Sequence, residues 1–181
     1  KGFSGRIEDV TNLCRNTIVA LRNRKGSLRV FVDGRDVTEK IRKEDIGLLA
    51  SRISSLPVVR NALLSVQRQI GAAGRVVAEG RDTGTVIFPD AAFKFFLDAS
   101  VEERATRRYL ELVAKGEHSS LSDVENDLLL RDRQDRERTI APLQVPRDAI
   151  VIDTTGKSVS EVVDAMMGIM EKVPNPLKQC R

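Results

Sequence analysis

The sequence predicts an α/β fold in which helices flank a parallel sheet. Three short apolar runs have the length and composition of buried strands: Arg75–Ala78, Phe93–Leu97 and Ala149–Ile152. They alternate with longer stretches of helical periodicity, which is typical of parallel strands joined by crossover helices. Upstream, Asp33-Gly34 follows the strand-like segment SLRVFV and is a hairpin signal. About residues 13–42 are therefore expected to form a small antiparallel piece.

The elements before residue 75 are bounded by turn residues. Ile18–Leu21 fits a strand or a helix equally well, whereas Ser27–Val32 is a predicted strand whose return begins at Val37. A helical pattern beginning at residue 44 or 45 is interrupted by Pro57, because the residue before proline is pushed out of helical geometry. A further helix is expected over residues 58–70, with the glycines at 71 and 74 ending it.

Three more helices are expected after residue 100, over residues 100–115, 123–138 and 158–172. Ser100 with Glu103, and Ser158 with Glu161, have the spacing of a capping box at a helix start. Gly156-Lys157-Ser158 resembles the end of a P-loop, but the first glycine of G-x-x-x-x-G-K-[ST] would fall at Val151, inside a strand. We therefore interpret Ser158 as an N-cap. The proline-containing tail from residue 174 is expected to be disordered.

Composition limits the function classes. The chain has 181 residues, 41% of them hydrophobic, and a net charge of +4. No apolar run approaches the roughly 20 residues of a membrane span, and no signal peptide is recognisable. Cys14 and Cys180 have no metal-site spacing and suit the reducing cytoplasm, where we expect the protein to act. Because His118 is the single histidine, histidine metal sites and Ser-His triads are very poor candidates. The arginines alternate with acids and aromatics are scarce, which disfavours nucleic-acid binding.

The loop after the first core strand, Glu79 to Thr85, contains Gly80, Arg81 and Asp82. In open α/β sheets, ligands bind where strands end at their carboxyl side, and Arg81 could donate two hydrogen bonds to a phosphate. The alternative is a turn with a local salt bridge. The tetrapeptide at residues 33–36, DGRD, has nearly the same letters, but there the hairpin interpretation is preferred.

Two arginine sets on helices are further candidates. Arg131, Asp135 and Arg138 share one helical face, and Asp132 with Arg136 is expected to pair on another. This set could bind an anionic ligand or could be a solvated, salt-bridged helix. The second set, on the helix after residue 100, could be an arginine-rich lid over phosphates or could serve surface solubility. Its members are Arg104, Arg107 and Arg108.

Taken together, these segments resemble the bacterial cytidylate kinase family of nucleoside monophosphate kinases. The resemblance covers about residues 28–173 and includes SLRVFVDGRDVTEKIR, PVVRNALLSVQR, VVAEGRDTGTVIFPDAAFKFFLDAS, EERATRRYLEL, LLLRDRQDRERTIAPL and AIVIDTT. It implies a P-loop-kinase-like parallel sheet with flanking helices, a small antiparallel insert that binds the nucleoside monophosphate, and a helical lid. The implied divisions are an insert over residues 13–51, a core over 57–100 and 139–173, and a lid with its adjoining helices over 101–138.

The resemblance also implies roles for individual residues. Ser51, Arg131 and Asp135 would contact the base and sugar of CMP, and Arg60, Arg81 and Arg138 would hold its phosphate. Glu79 stands where the family commonly has aspartate. The lid arginines Arg104, Arg107 and Arg108 would close over ATP, with Arg81, Arg138, Arg104 and Arg108 acting in catalysis. The implied reaction transfers the γ-phosphoryl group of ATP, with Mg²⁺ as cofactor, to CMP or dCMP. Partners would be nucleotides alone, and a monomer is expected.

The family pattern begins with a strand, a P-loop and a helix that this sequence does not show. Such a unit needs on the order of 30 residues, and it cradles the donor phosphates. We therefore interpret the sequence as part of a kinase chain. Without the unit that cradles the donor phosphates, the chain as given is not expected to be catalytically competent. The alternative is a non-catalytic nucleotide-binding protein without a P-loop.

Overall fold

The structure is a computed structural model that describes residues 7–172 except 25, 43–45, 47, 48, 51, 52, 54, 55 and 73. The chain forms two compact units, Lys1–Ala78 and Glu79–Arg181. The helix expected from residue 44 or 45 falls largely on residues outside the described set. Ser51 and the tail beyond residue 172 also lie outside it. The predicted division into insert, core and lid stays a prediction.

The first unit combines a small antiparallel sheet with helices. Its elements are α1 (Ile7–Asn16), β1 (Val19–Arg24), β2 (Ser27–Val32), β3 (Arg35–Asp36), a 3₁₀ turn (Lys40–Arg42) and α2 (Pro57–Gly71). The strand order is β1-β2-β3, with both pairings antiparallel. Helix α1 packs on α2, and α2 contacts β1. The buried residues Val10, Phe31 and Val59 supply the apolar core. The segment Ile18–Leu21, which fitted a strand or a helix equally well, lies mainly within strand β1.

The β2–β3 hairpin confirms the predicted turn. Asp33 and Gly34 have φ values of 50° and 78°, and positive φ at both positions is what a two-residue hairpin turn of this hand requires. The return begins at Arg35, so the prediction of Val37 was wrong. The ladder changes at Thr38, because Oγ1 of this buried residue accepts the N–H of Val30 at 2.9 Å in place of a backbone carbonyl.

The second unit holds a parallel strand pair and three helices among its described residues. Its elements are a π-helical turn (Thr83–Ile87), β4 (Phe95–Asp98), α3 (Val101–Ala114), α4 (Leu121–Glu137), β5 (Ile150–Asp153) and α5 (Val159–Lys172). Strands β4 and β5 run parallel, from Phe95 opposite Ile150 to Asp98 opposite Asp153. Helix α3 packs on α4. The predicted α/β class is confirmed, with the strands of this unit shifted by one or two residues.

The predicted caps are present. Ser100 Oγ accepts the N–H of Glu103 at 3.2 Å. At α5 the box is reciprocal, since Ser158 Oγ accepts from Glu161 N and Ser158 N donates to the Glu161 carboxylate at 2.8 Å. Helix α4 begins two residues before the predicted start, because Ser120 caps it by accepting the N–H of Asp123. These termini are set by side chains close in sequence.

The predicted strand at Arg75–Ala78 is wrong. The segment has no regular structure, Val77 is fully exposed at 101%, and Val76 is 46% exposed. Backbone N–H and C=O groups of a strand need a neighbouring strand. In the described parts of the chain the parallel sheet contains β4 and β5 alone, and neither pairs with this segment. The apolar run therefore stays irregular and exposed to solvent.

Candidate functional site

The second unit brings two arginines together on one carboxylate. Arg81 Nε lies 2.9 Å from Asp135 Oδ2, and Arg138 Nη1 lies 3.7 Å from Asp135 Oδ1. The Asp135 side chain is 17% exposed, and those of Arg138 and Arg81 are 28% and 43% exposed. Two cations and one anion leave the cluster with a surplus positive charge. It is suited to an anionic ligand group of phosphate size.

Two atoms of this cluster are buried and find no hydrogen-bond partner among the residues that the structure describes. They are Asp135 Oδ2, whose contact with Arg81 is an ion pair without hydrogen-bond geometry, and Arg138 Nη2. Buried polar atoms without partners are uncommon in native proteins and call for an explanation. Arg138 Nη2 is therefore a buried donor without an acceptor among the described residues, and Asp135 Oδ2 is a buried oxygen that is ion-paired but not hydrogen-bonded there. A ligand with both a donor and an anionic oxygen would satisfy the pair.

The fold holds Asp135 and Arg138 at the end of α4. Asp135 lies in its last turn, and Arg138 follows the helix directly. The next residues turn back over this end, because Leu143 N donates to Asp135 O at 2.7 Å and Arg138 Nε donates to Ala141 O. Ala141 has a φ of 49°, which an ordinary residue adopts when surrounding contacts require it. The Arg138 guanidinium is thus held by its own loop and by the carboxylate.

Arg81 is held by the turn that follows it. The carbonyl oxygen of Asp82 accepts the N–H groups of Val86 at 2.9 Å and Ile87 at 3.2 Å, and this closes the π-helical turn. Gly80 is required before Arg81, since a Cβ there would lie 2.5 Å from Thr83 Oγ1. π-helical turns occur frequently at functional sites. The glycine and the turn fix the direction in which the Arg81 side chain leaves the backbone.

The described ion pairs of this cluster do not include several other predicted site residues. Arg131 lies on the exposed surface of α4 and forms no ion pair with any residue in the described part of the chain. Glu79 is exposed, whereas Asp82 is partly buried. Arg60 lies in the first turn of α2, in the other unit, and is partly buried. The cluster therefore joins Asp135 and Arg138 as their helical spacing predicted. It also contains Arg81, which the family resemblance grouped with Arg138, but not Arg131.

Arg104 donates hydrogen bonds within the protein, although its side chain is 28% exposed. Its Nη1 donates to Asp132 Oδ2 at 2.7 Å and its Nε to Ala99 O at 3.2 Å. Asp132 is buried at 8% exposure. The predicted Asp132–Arg136 pair is wrong, because α4 turns Asp132 toward α3 and leaves Arg136 on the exposed surface.

Arg107 is also committed to protein contacts, while Arg108 is exposed. Arg107 pairs with Glu103 at 2.8 Å and donates to the carbonyl oxygens of Thr154 at 2.6 Å and Lys157 at 3.2 Å. Arg108 forms an exposed ion pair with Glu111 at 3.1 Å. Of the three lid arginines, Arg108 is the one whose guanidinium can reach a ligand without breaking partly buried contacts.

Sequence reasoning missed two residues near the cluster. Thr83 Oγ1 is buried, and no described residue forms a hydrogen bond with it. Lys94 has a side chain that is only 8% exposed. Lysine inside an apolar strand run, as in FKFFL, was the available signal, because a lysine at such a position must find a partner. For Thr83 the surrounding sequence, Gly80-Arg81-Asp82-Thr83, contains no comparable signal.

The described residues contain no group of three or more histidine, cysteine, aspartate or glutamate side chains that could hold a metal ion. We therefore assign no Mg²⁺ ligand in them. The interpretation of Ser158 as an N-cap is confirmed, because its Oγ accepts the N–H of Glu161. The ammonium group of the neighbouring Lys157 donates a hydrogen bond to the carbonyl oxygen of Asp153 at 2.6 Å. Among the helices described, none combines the length and apolarity needed to cross a membrane.

Comparison with known proteins identifies the family. The family profile described as Cytidylate kinase matches residues 5–172. A cytidylate kinase of Citrifermentans bemidjiense is 49% identical over 157 residues, covering 87% of this chain and 67% of the relative. One of Geobacter sulfurreducens is 48% identical over 163 residues, covering 90% and 70%. One of Pseudomonas syringae pv. tomato is 49% identical over 139 residues, covering 77% and 61%.

The chain thus spans between 61% and 70% of the length of these three relatives. All three are named as kinases, which gives no support to the non-catalytic alternative. The matched region includes the π-helical turn, the arginine cluster and both parallel strands. The chain belongs to the cytidylate kinase family, a family of nucleoside monophosphate kinases.

Proposed function

We propose that this protein is a (d)CMP kinase that transfers the γ-phosphoryl group of ATP to CMP or dCMP, giving ADP and CDP or dCDP. The observation that carries the proposal is the Arg81–Asp135–Arg138 cluster, in which two buried polar atoms lack hydrogen bonds to the described residues. In this assignment Arg81 and Arg138 bind the phosphate of the acceptor nucleotide, joined by Arg60. Asp135 orients both guanidiniums and accepts a hydrogen bond from the nucleoside.

The cluster can lower the barrier by holding and neutralising the acceptor. A CMP phosphate and the ATP γ-phosphoryl group repel each other, and guanidinium hydrogen bonds offset part of that charge. Positioning of the two reactants supplies most of the catalysis in phosphoryl transfer. The two arginines are attached to a closed turn and to a helix end, so little side-chain freedom remains to be lost on binding.

Fewer residues are assigned to the binding of ATP, the phosphoryl donor. Mg²⁺ would enter with ATP, bound mainly by its phosphates and by water, and we assign no protein side chain to it. Arg108 is proposed to contact ATP, whereas Arg104 and Arg107 would position α3. Arg131, Gly80, Asp82 and Glu79 are proposed to lie around the nucleoside. Ser51 keeps its proposed role at the base. We also propose a monomer acting in the cytoplasm, which accords with the free thiol of Cys14.

The proposal is tested by calorimetric titration of CMP into the chain and into two arginine variants. Arg138→Ala is expected to weaken CMP binding by roughly 100-fold, since a charged, partly buried partner is lost. Arg35→Ala is the matched control, because Arg35 is an exposed arginine in the similar DGRD turn. Equal effects of the two variants would contradict the site.

Catalysis is tested separately, with the product of the complete reading frame that contains this chain. Phosphorylation of CMP and dCMP by ATP and Mg²⁺ is expected. A product that binds CMP but transfers no phosphate to CMP, dCMP or UMP would contradict the kinase assignment while leaving the binding site intact. Light scattering of the same sample checks the monomer.

A further inference from the structure

Lys94 is a buried lysine that joins two loops of the second unit. Its Nζ donates to the carbonyl oxygen of Pro89 and lies 2.7 Å from Asp148 Oδ2. The Lys94 side chain is 8% exposed, whereas that of Asp148 is 65% exposed. The hydrogen bond from Lys94 holds the pKa of the Asp148 carboxyl below its ordinary value. Lysine is almost never buried this far without a specific partner, and here one ammonium group connects residues 59 positions apart in sequence.

The first of these loops carries Arg81. The carbonyl of Asp82, directly after Arg81, closes the π-helical turn, and Pro89 follows the turn after one residue. The aliphatic part of Lys94 also lies against this turn, since a Cβ on Gly84 would be 3.3 Å from Lys94 Cδ. The turn is therefore held at its middle and just beyond its end by the same side chain.

The second loop carries Arg138. It runs from the end of α4 to β5 and includes Pro146, whose Cγ would lie 2.9 Å from a Cβ on Gly84. Ala149 N donates to Pro146 O at 3.0 Å, which joins this contact to Asp148. At the other end of the loop, the carbonyl oxygen of Ala141 accepts a hydrogen bond from the Arg138 side chain. The Lys94 ammonium thus bridges the chain segments that present the two arginines.

We propose that Lys94 is a positioning residue for the acceptor site, which holds the Arg81 turn against the Arg138 loop so that both guanidiniums converge on Asp135 before CMP binds. The inference rests on the proposed function for its ligand. Lys94 touches neither guanidinium in the structure and acts through Pro89, Gly84 and Asp148. Loosening this bridge would let Arg81 separate from the rest of the cluster, and small losses of positioning reduce binding and catalysis strongly.

The test uses Lys94→Met, which keeps the length of the side chain and removes its charge. Lys157→Met is the matched control, since Lys157 Nζ also donates to a backbone carbonyl but in the β5–α5 loop. The Lys94 variant is expected to weaken CMP binding about tenfold by calorimetry, and the control less than about twofold. Asp148→Asn is a milder second variant, expected to weaken binding by about two- to threefold because Pro89 O still accepts from Lys94.

A double variant separates positioning from general destabilisation. In an Arg81→Ala background, Lys94→Met should weaken CMP binding by less than about twofold further, because its effect passes through Arg81. A full tenfold loss in that background, or unchanged CMP affinity of the single variant, would overturn the inference.

Amide hydrogen exchange without ligand supplies a second readout. Exchange of the Val86 and Ile87 amides should be about tenfold faster in Lys94→Met, and unchanged in Lys157→Met. If the unaltered chain binds no CMP, the proposed function fails while this readout still decides the inference. Unchanged exchange at both amides would overturn it, and faster exchange would support it.

Discussion

Arg104 of α3 and Asp132 of α4 form an ion pair of 2.7 Å in which the Asp132 side chain is only 11% exposed. The pair joins two helices that the family resemblance assigns to the lid region. The pair adds a polar contact to the packing of α3 on α4. Arg104 would have to leave its ion pair with Asp132 before its guanidinium could bind a ligand.

Removing Arg104 should destabilise the fold. Arg104→Ala leaves the buried Asp132 carboxylate without its cation, and a loss of about 2–4 kcal/mol in the free energy of unfolding is expected, since part of Arg104 is exposed. Urea denaturation followed by circular dichroism measures it. Arg108→Ala is the control, because it removes an exposed pair with Glu111 and should change stability by less than about 1 kcal/mol. Similar losses in both variants would contradict the structural role of Arg104.

Arg131 and Arg138 should differ in their effect on CMP. Arg131 lies one helical turn before Asp135, is exposed and, within the described residues, forms no ion pair with that carboxylate, so Arg131→Ala is expected to weaken CMP binding by about two- to fivefold, far less than Arg138→Ala. Calorimetric titration of both variants makes the comparison. A larger effect of Arg131→Ala than of Arg138→Ala would contradict this expectation and would favour the nucleoside contact that the family resemblance assigns to Arg131.

A methyl group at Gly84 should force apart the Arg81 turn and the Arg138 loop. The new Cβ of Gly84→Ala would lie 2.9 Å from Pro146 Cγ, inside normal contact distance, and proline cannot rotate away freely. A destabilisation of about 1–3 kcal/mol is expected, together with weaker CMP binding.

The control for this variant is Gly168→Ala. Gly168 lies within α5, and a Cβ there would meet nothing within 4 Å. Alanine at that helix position should raise stability by roughly 0.5–1 kcal/mol. Thermal denaturation of the two proteins should therefore move in opposite directions, and a shift of the same sign in both would count against the Gly84 contact.

The α5 capping box should make stability depend on pH. Hydrogen bonds from Ser158 hold the pKa of Glu161 below its ordinary value of 4.5. Because the folded state lowers this pKa, the contribution is fully present above pH 4.5 and is lost as the pH falls through the folded value. Glu161→Gln, measured by urea denaturation at several pH values, should be less stable than the unaltered chain at neutral pH. The difference should shrink in acid, and a constant difference at all pH values would contradict this assignment.

Features of the fold that depend on neighbours in sequence could be predicted. The Asp33-Gly34 turn needs only the backbone freedom of its own two residues, and Ser158 with Glu161 satisfies N–H groups within three positions. The spacing of Asp135 and Arg138 also placed them on one helical face, and the structure keeps that pair. Motif order along the chain was sufficient to identify the family.

The tertiary structure decided which partners meet. Periodicity places Asp132 and Arg136 within reach of each other, but only the packing of α3 on α4 pairs Asp132 with Arg104. Likewise, Arg75–Ala78 has the composition of a strand, yet a strand exists only where another strand satisfies its backbone groups.

The sequence by itself determined the α/β class, the capped helix starts and the residue types available for binding phosphate, because these follow from local geometry and side-chain chemistry. The assembly of Arg81 with Asp135, and the bridge made by Lys94 to Asp148, were decided only in the folded chain. These contacts join residues 54 positions apart in sequence in both cases. No periodicity encodes such a contact, since it depends on how the strands and helices of the unit pack.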